Sequence, residues 1–348
     1  MIPVAHSKPS LTPADRDAVA AILATGMIGQ GAQTIELEHQ LSAWLGGTGG
    51  VAVGSGTAAL TLALQAVGCG PGGEVIFPTY VCRAVLQAVC AVGSTPVPCD
   101  VGEDWLVEPA QVGPLVTPRT QAIIVPHLYG LFCDVAAFRG FNVAVVEDCA
   151  QALGPPGSHA MGGDVAVLSF HPTKCLTTGE GGMAIARAPE LLTRMQKLRD
   201  DDTSGGARRL FSPLSDLAAA LGLSQLRRYD SFLARRREIA SCYAQALGRR
   251  GATLAPWWSR RPTMYFRFPL RIPDGLEGVA AGFSARGVTV RRGVDELLHR
   301  LAGLSDAAFP RAVRHYHETV SLPIYPALTD EELGRCAEAV RAILQCGV

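Results

Sequence analysis

Between residues 51 and 190 the sequence switches repeatedly between two textures. Short β-rich runs (Val51 to Val53, Val75 to Phe77, Thr95 to Pro98, Ala122 to Val125, Val143 to Val146, Val165 to Leu168) are separated by helical or loop segments such as Ala58 to Val67 and Ala84 to Val92. Strands alternating with helices of this length predict an α/β architecture, a mostly parallel sheet covered by helices on both faces. Ligands of such sheets bind beyond the carboxyl ends of the strands. His127, Asp148 and Ser169 fall at or just past such ends, so chemistry is expected there.

The flanks read differently. Thr12-Pro13-Ala14-Asp15 starts a helix that ends near Gly26, and a second helical pattern runs through Ile35, Leu37, Leu41 and Trp44 to Gly46-Gly47. After residue 190 long helices take over; Ser215-Asp216 caps a run with an Arg-rich outer face at Arg235, Arg236 and Arg237. Alternating strands at Tyr265 to Ile272 and Val288 to Arg291, and a capping box from Thr329 to Glu332, close the chain. At 348 residues it exceeds the roughly 150 expected of one domain. The expectation is a large domain over 1–245 and a smaller C-terminal α+β domain over 246–348.

Charge and composition exclude several classes. Lys plus Arg and Asp plus Glu both number 31, without a basic block, which gives nucleic acid no footing. No apolar run approaches the roughly 18 residues of a membrane span, and the first residues do not resemble a signal peptide. The ten cysteines lie in apolar segments with no C-x-x-C pair, so zinc is not expected, and a reduced, cytoplasmic setting is. His315 and His317 form the one close histidine pair, with no ligand set around them, and no metal site is expected.

Three constellations carry candidate chemistry. In the first, DVAVLSFHPTKCLTTGEGGM (164 to 183), an apolar strand ends at Ser169, a turn with Pro172 presents Lys174, and a glycine-bearing loop leads into another apolar strand. A loop lysine is ordinarily a solvated charge, but one partly desolvated at the mouth of a sheet can lose its proton near neutral pH and form a Schiff base with a carbonyl.

In the second, Gly54-Ser55-Gly56-Thr57-Ala58-Ala59 follows a strand and opens a helix. Alone it reads as G-x-G-x-x-A, a dinucleotide fingerprint, with Glu74 about 20 residues on. Glu74 precedes its strand, however, and so points to the wrong edge of the sheet. A phosphate cup built from the N–H groups of Thr57 and Ala58 with hydroxyls from Ser55 or Thr57 is the better reading; a bare tight turn is the plain alternative.

The third is Val145-Val146-Glu147-Asp148-Cys149-Ala150-Gln151, a strand ending in acids. An acid there can cap a helix, or it can pair with the pyridine nitrogen of a pyridoxal ring. Asp148 is the candidate, because Glu147 points to the opposite side of the pleat. Tyr80, past the strand end at Pro78-Thr79, is either core packing or a platform for a flat ring.

The order SGTAAL (55 to 60), GGEVIFPTYVCRAV (72 to 85), VEDCAQALG (146 to 154), SFHPTKCLTTGEGGM (169 to 183), DLAAALGLSQLRRYDSFLARRREIA (216 to 240) and SLPIYPALTDEEL (321 to 333) resembles the DegT/DnrJ/StrS aminotransferases over nearly the whole chain. The resemblance implies a fold-type I transferase dependent on pyridoxal 5′-phosphate (PLP), with a seven-stranded sheet and a homodimer sharing its active sites. By position it implies Lys174 as the Schiff-base lysine, Asp148 at the pyridine nitrogen, Gln151 near the phenolic oxygen and Tyr80 on the ring face. Gly56, Thr57, Ala58 and Ser169 would hold the phosphate. The implied reaction moves an amino group from an amino acid, L-glutamate, to a keto-sugar, nucleotide-linked, or a related keto-cyclitol in amino-sugar or antibiotic biosynthesis.

Where the family commonly carries Asn-Tyr-Arg-Met, with an asparagine reaching the partner's cofactor phosphate, this chain has Phe211-Ser212-Pro213-Leu214. Ser212 or Arg208/Arg209 would substitute, or the phosphate is held less tightly. Arg199-Asp200-Asp201-Asp202-Thr203 likewise departs from Arg-Asp-His-Gly. Reachable substrate contacts are His127, His171 and His317, with Arg291 and Arg292. The rival readings are another PLP reaction, such as elimination or atypical amination, a nicotinamide oxidoreductase on Gly54 to Ala59, and a non-catalytic scaffold.

Overall fold

The structure, a computed structural model, describes residues 2–156, 161–200, 210, 212–259 and 263–345. Its centre is a sheet of seven strands: β1 (Gly49–Val53), β2 (Glu74–Pro78), β3 (Thr95–Cys99), β4 (Thr120–Pro126), β5 (Ala144–Asp148), β6 (Val165–Ser169) and β7 (Gly182–Ala186). The order is β1-β7-β6-β5-β4-β2-β3, and β7 alone runs against the others. Six expected runs are strands; β5 extends to include both acids. Pro96 and Pro98 sit in β3, where the edge position leaves their missing N–H groups harmless.

Side chains alternate between the two faces of this sheet, as the two-residue period requires. Val51, Val53, Val165 and Val167 face one apolar cluster; Ala52, Ala166 and Leu168 face another. The first cluster takes the inner sides of α3 (Gly56–Ala66) and α4 (Ala84–Val92). The second takes α2 (Ala32–Leu45), which follows α1 (Pro13–Thr25). Thr12 and Asp15 cap α1 reciprocally, and Gly26, at φ 72°, ends it in the left-handed turn expected of a glycine stop.

Beyond the single turn α5 (Pro109–Val112), α6 (Pro189–Asp200) joins the first face, and α7 (Asp216–Leu226) and α8 (Tyr229–Leu247) join the second. The edge of β1 is closed by side chains: Glu38 Oε1 accepts from the Ala52 N–H (2.7 Å), and Arg199 bonds both Glu38 and the Ala52 carbonyl. This hides an edge that would otherwise template pairing.

A second sheet is antiparallel and three-stranded: β8 (Phe268–Arg271), β9 (Arg291–Arg292) and β10 (Thr319–Leu322), with β10 central. Around it lie α9 (Gly251–Leu254), α10 (Gly275–Ala285), α11 (Leu298–Leu301), α12 (Pro310–Glu318) and α13 (Asp330–Val340). One apolar cluster runs unbroken from Ile76, Ile123 and Val125 of the large sheet to Phe268, Leu270 and Val320 of the small one. The first residues also cross over: Val4 exchanges backbone bonds with Gly287 and Thr289. Residues placed by sequence in the N-terminal unit thus pack on the C-terminal sheet.

Candidate active site

All six parallel strands end along one edge, and the residues just past those ends form the site. After Ser169 the chain turns back on itself. The Lys174 N–H reaches the His171 carbonyl (2.8 Å), the Thr177 hydroxyl and Thr178 N–H both return to the Phe170 carbonyl, and Gln225 of α7 accepts from the Thr177 N–H (3.0 Å). These bonds present Lys174 from a pinned turn. Its Nζ lies 5.3 Å from the centroid of the Phe266 ring and makes no hydrogen bond among the described residues. Burial lowers the lysine pKa, opposed by the charge of Asp148.

Asp148 is its counterpart. One oxygen accepts from the Ala150 N–H (2.9 Å); the other takes no hydrogen bond among the described residues. Burial raises its pKa, against the Ala150 bond and the charges of Lys174 and His127. Glu147, one residue earlier, faces the other way and is wholly enclosed. Its Oε1 meets His127 Nε2 at 2.8 Å, and its Oε2 accepts from the N–H groups of Gly162 and Gly163, both at 2.8 Å. The Cys133 N–H donates to His127 Nδ1, so Nε2 carries the ring proton toward Glu147. Glu147, His127 and Cys149 bring metal-type ligand atoms within 4.8 Å of one another, but both Glu147 oxygens already accept protons from the chain. His127 therefore braces the ends of β4 and β5 and is closed to a substrate.

At the end of β1 the helix α3 opens. Ser55 is its N-cap and takes the Ala58 N–H (3.0 Å), so Ala58 is not the free donor expected of it. The free donors at this terminus are the N–H groups of Gly56 and Thr57, which among the described residues have no acceptor. Ser169 stands against them: a side chain at Gly56 would place its Cβ 2.9 Å from the Ser169 hydroxyl. Only glycine leaves this hollow, where two N–H groups and a hydroxyl converge at a helix N-terminus; such a hollow suits a phosphate. Glu74 starts β2 at the opposite edge and is bound by Thr117 and Arg119, which removes it from any ribose here.

Tyr80 is fully buried, its hydroxyl 2.8 Å from that of Tyr129, and β9's neighbour Gly293 lies so close that a Cβ would collide with both hydroxyls. The Tyr129 N–H donates to Gln151 Oε1 (2.9 Å), which leaves the Gln151 amide N–H₂ for another acceptor. Gln151, Ser169 and Lys174 line one small cavity. His171 and His317 are exposed, the first bonded to Thr173 and the second edge-on to Tyr316. Arg292 is held by Glu277 and the Tyr316 carbonyl, and Arg291 is exposed. Ser212 sits beside the cup, its carbonyl taking the Gly54 N–H (2.8 Å); Arg208, Arg209, Phe211 and Asp201 to Thr203 lie outside the described residues.

Two features escape sequence reading. Thr79, next to Tyr80, bonds His299 Nδ1 (2.7 Å), and His299 Nε2 meets Asp306 (3.0 Å), which ties the Tyr80 turn to α11 across 220 residues of sequence. Arg267 lies near Lys174, over the same Phe266 ring. Neither residue stands in a motif; only the pairing of distant segments brings them in.

A half-buried lysine beside a buried, half-bonded acid, next to an anion cup at the ends of parallel strands, is the arrangement of a PLP-dependent transferase. A profile of the DegT/DnrJ/EryC1/StrS aminotransferase family matches residues 9–341. The chain is 30% identical to the spore coat polysaccharide biosynthesis protein SpsC of Bacillus subtilis, over 98% of this chain and 97% of that protein. It is 31% identical to GDP-perosamine synthase of Caulobacter vibrioides, over 98% of each. Among solved structures, the putative sugar aminotransferase Spr1654 of Streptococcus pneumoniae in its PMP form superposes with a TM-score of 0.89, at 26% identity over 99% of this chain and 98% of that one. The same protein has been solved in a PLP form. This chain belongs to the DegT/DnrJ/EryC1/StrS family of aminotransferases and is a PLP-dependent enzyme.

Proposed function

We propose that this enzyme moves the amino group of an amino acid, L-glutamate, to a keto-sugar carried on a nucleotide. The relatives support the acceptor class, since one is a GDP-perosamine synthase and another serves spore coat polysaccharide biosynthesis. The observation that carries the reaction is Lys174: a half-buried amine with no hydrogen bond among the described residues, its pKa lowered by desolvation against the charge of Asp148. When bound, PLP supplies an electron sink for the carbon that loses its proton.

The chain's own groups do the rest. Lys174 would hold the cofactor through Nζ, and Asp148 would keep the pyridine nitrogen protonated. Gln151 would donate its free amide N–H to the phenolic oxygen, and Gly56, Thr57 and Ser169 would hold the phosphate; Tyr80, fully buried against Tyr129 and His315, is core packing rather than a platform for the ring. Lys174 Nζ would take the proton from the donor's α-carbon, and its lowered pKa makes it a base closer to neutral pH than a solvated lysine. In the second half of the reaction it would deliver a proton to the acceptor carbon that enters as the ketone carbonyl and leaves bearing the amino group.

We also propose a large unit over 1–245 and a smaller one over 246–348, with the first residues strapped to the latter. A homodimer is supported by exposed apolar side chains concentrated at Leu11, Leu23, Met27, Ile28 and Ile35; sedimentation at a single-chain mass would count against it. Among the described residues no helix is long and apolar enough to cross a membrane. The nine described cysteines are free thiols, which supports a reducing, cytoplasmic setting.

The test is absorbance of the PLP-loaded protein before and after excess L-glutamate. A visible band that glutamate converts to an ultraviolet one, with release of 2-oxoglutarate, is expected. Lys174→Ala should fold and bind PLP but lose turnover by roughly 10³-fold or more; full turnover by that variant would sink the assignment.

A further inference from the structure

A second group of polar atoms faces Lys174 and has no part in the roles above. Ser7, Lys8, Lys174, Arg236 and Arg267 line one cavity. Arg267 is placed there by a strained segment. Its N–H bonds the Tyr129 carbonyl, and Tyr129 and Tyr265 both take left-handed backbone at φ 62° and 56°. Such conformations cost on the order of 1 kcal/mol or more each and persist where the surroundings impose them. Gly130, at φ 84°, lets the two loops close, since a Cβ there would lie 2.8 Å from the Phe266 nitrogen.

The guanidinium of Arg267 then rests 5.1 Å from the centroid of the Phe266 ring, the ring that Lys174 faces. Among the described residues it pairs with no carboxylate. Its side-chain partner is His6, whose ring burial and the charges of Arg267 and Arg291 hold neutral down to a pKa of about 2. Among the described residues Arg236 also lacks an acid: one nitrogen serves the carbonyls of Tyr265, Phe266 and Ile324, and its buried Nε is without a partner. The buried hydroxyl of Ser7 is unpartnered too. Burial, with Arg236 and Arg291 nearby, brings Arg267 down to about 10, against Tyr129 and Asp295. Cations gathered against their own repulsion, with a donor hydroxyl left open, make a site for an anion that the chain itself does not supply.

We propose that Arg267, with Ser7 and Lys8 beside it, is an anion subsite that takes a carboxylate of the amino donor while the donor's nitrogen lies toward Lys174. This rests on Lys174 being the reacting lysine. The planar fork of an arginine matches a carboxylate through two parallel bonds, and the shared Phe266 ring keeps that fork near the amine, which suits a small amino acid.

The experiment titrates the PLP-loaded protein with glutarate and, separately, with inorganic pyrophosphate by calorimetry, for the natural chain, Arg267→Met and Arg267→Lys. Thermal melting and the cofactor band are recorded alongside. Expected is a glutarate Kd weakened at least tenfold in Arg267→Met and less in Arg267→Lys, with the cofactor band kept and pyrophosphate less affected. Should the Met variant lose its melting transition, Arg267→Lys, which keeps the charge over Phe266, carries the test through its lost second bond. An unchanged glutarate Kd overturns the proposal while leaving Lys174's role intact. Weakening confined to pyrophosphate overturns it as well, because the anion would then belong to the acceptor. A natural chain that forms no cofactor band removes the lysine reading and the subsite together.

Discussion

Glu147 and Asp148 are consecutive carboxylates at one strand end, and the fold treats them in opposite ways. Glu147, behind the sheet, has both oxygens filled by His127, Gly162 and Gly163. Asp148, in front, keeps one oxygen open among the described residues, beside the half-buried amine of Lys174. A carboxylate whose lone pairs are filled from within the chain holds structure. One left partly unfilled at the mouth of a sheet is held ready for a ligand.

The difference is open to direct attack. Asp148→Asn should cost roughly 10³-fold or more in turnover, because a neutral amide cannot keep the pyridine nitrogen protonated, while its melting temperature barely moves. Glu147→Ala should do the reverse. It strands the His127 proton and two buried N–H groups, and urea unfolding should show a loss of about 3–4 kcal/mol, with residual turnover in whatever stays folded. Equal stability losses in the two variants would erase the distinction between front and back.

Histidines sharpen it. His127 has both ring nitrogens bonded, whereas His315, fully buried between Tyr80 and Trp105, donates Nε2–H to the Gly102 carbonyl (3.0 Å) and leaves Nδ1 without a partner. Burial lowers the His315 pKa from 6.5 to about 4. Below pH 6.5 the unfolded chain takes up this proton and the folded one does not, so stability is lost as pH falls from 6.5 to about 4. The loss amounts to about 3 kcal/mol at the lower end. Unfolding of His315→Gln at pH near 7 and near 4.5 should show a shallower decline than the natural chain; an identical slope would mean the ring is protonated where it lies.

How far the sequence could be read follows the same division. The six strands, Lys174, Asp148 and the glycine turn before α3 are local: each is written in a run of about ten residues whose period or turn chemistry is visible alone. The outward turn of Asp148 was legible from the pleat. Ala58 reads as a free donor in the sequence, but the N-cap role of Ser55 competes with a ligand for the same N–H, and a motif does not say which wins. His127 stands at a strand end like a site residue, but its partner Glu147 is 20 residues away and faces backward, so its burial was invisible. Arg267 and the Thr79–His299 bond depend on loops that meet only after the two sheets pack. No local pattern marks them.

The smallest effect tests the cup itself. Gly56 and Thr57 offer backbone N–H groups that no substitution removes, so the one side-chain donor to delete is the Ser169 hydroxyl, set against Gly56 at the end of β6. Ser169→Ala removes one hydrogen bond to a charged group and leaves the helix terminus, and that bond is worth about 1.5 kcal/mol. The dissociation constant for PLP, followed by absorbance, should rise roughly tenfold while Lys174 still forms its band. Ser55→Ala, by contrast, frees the Ala58 N–H that Ser55 now occupies, and so weakens the helix while adding a donor to the cup. If Ser55→Ala loosens PLP more than Ser169→Ala does, the phosphate relies on the rigidity of α3 more than on its own hydrogen bonds, and the cup belongs with Glu147 among the structural parts.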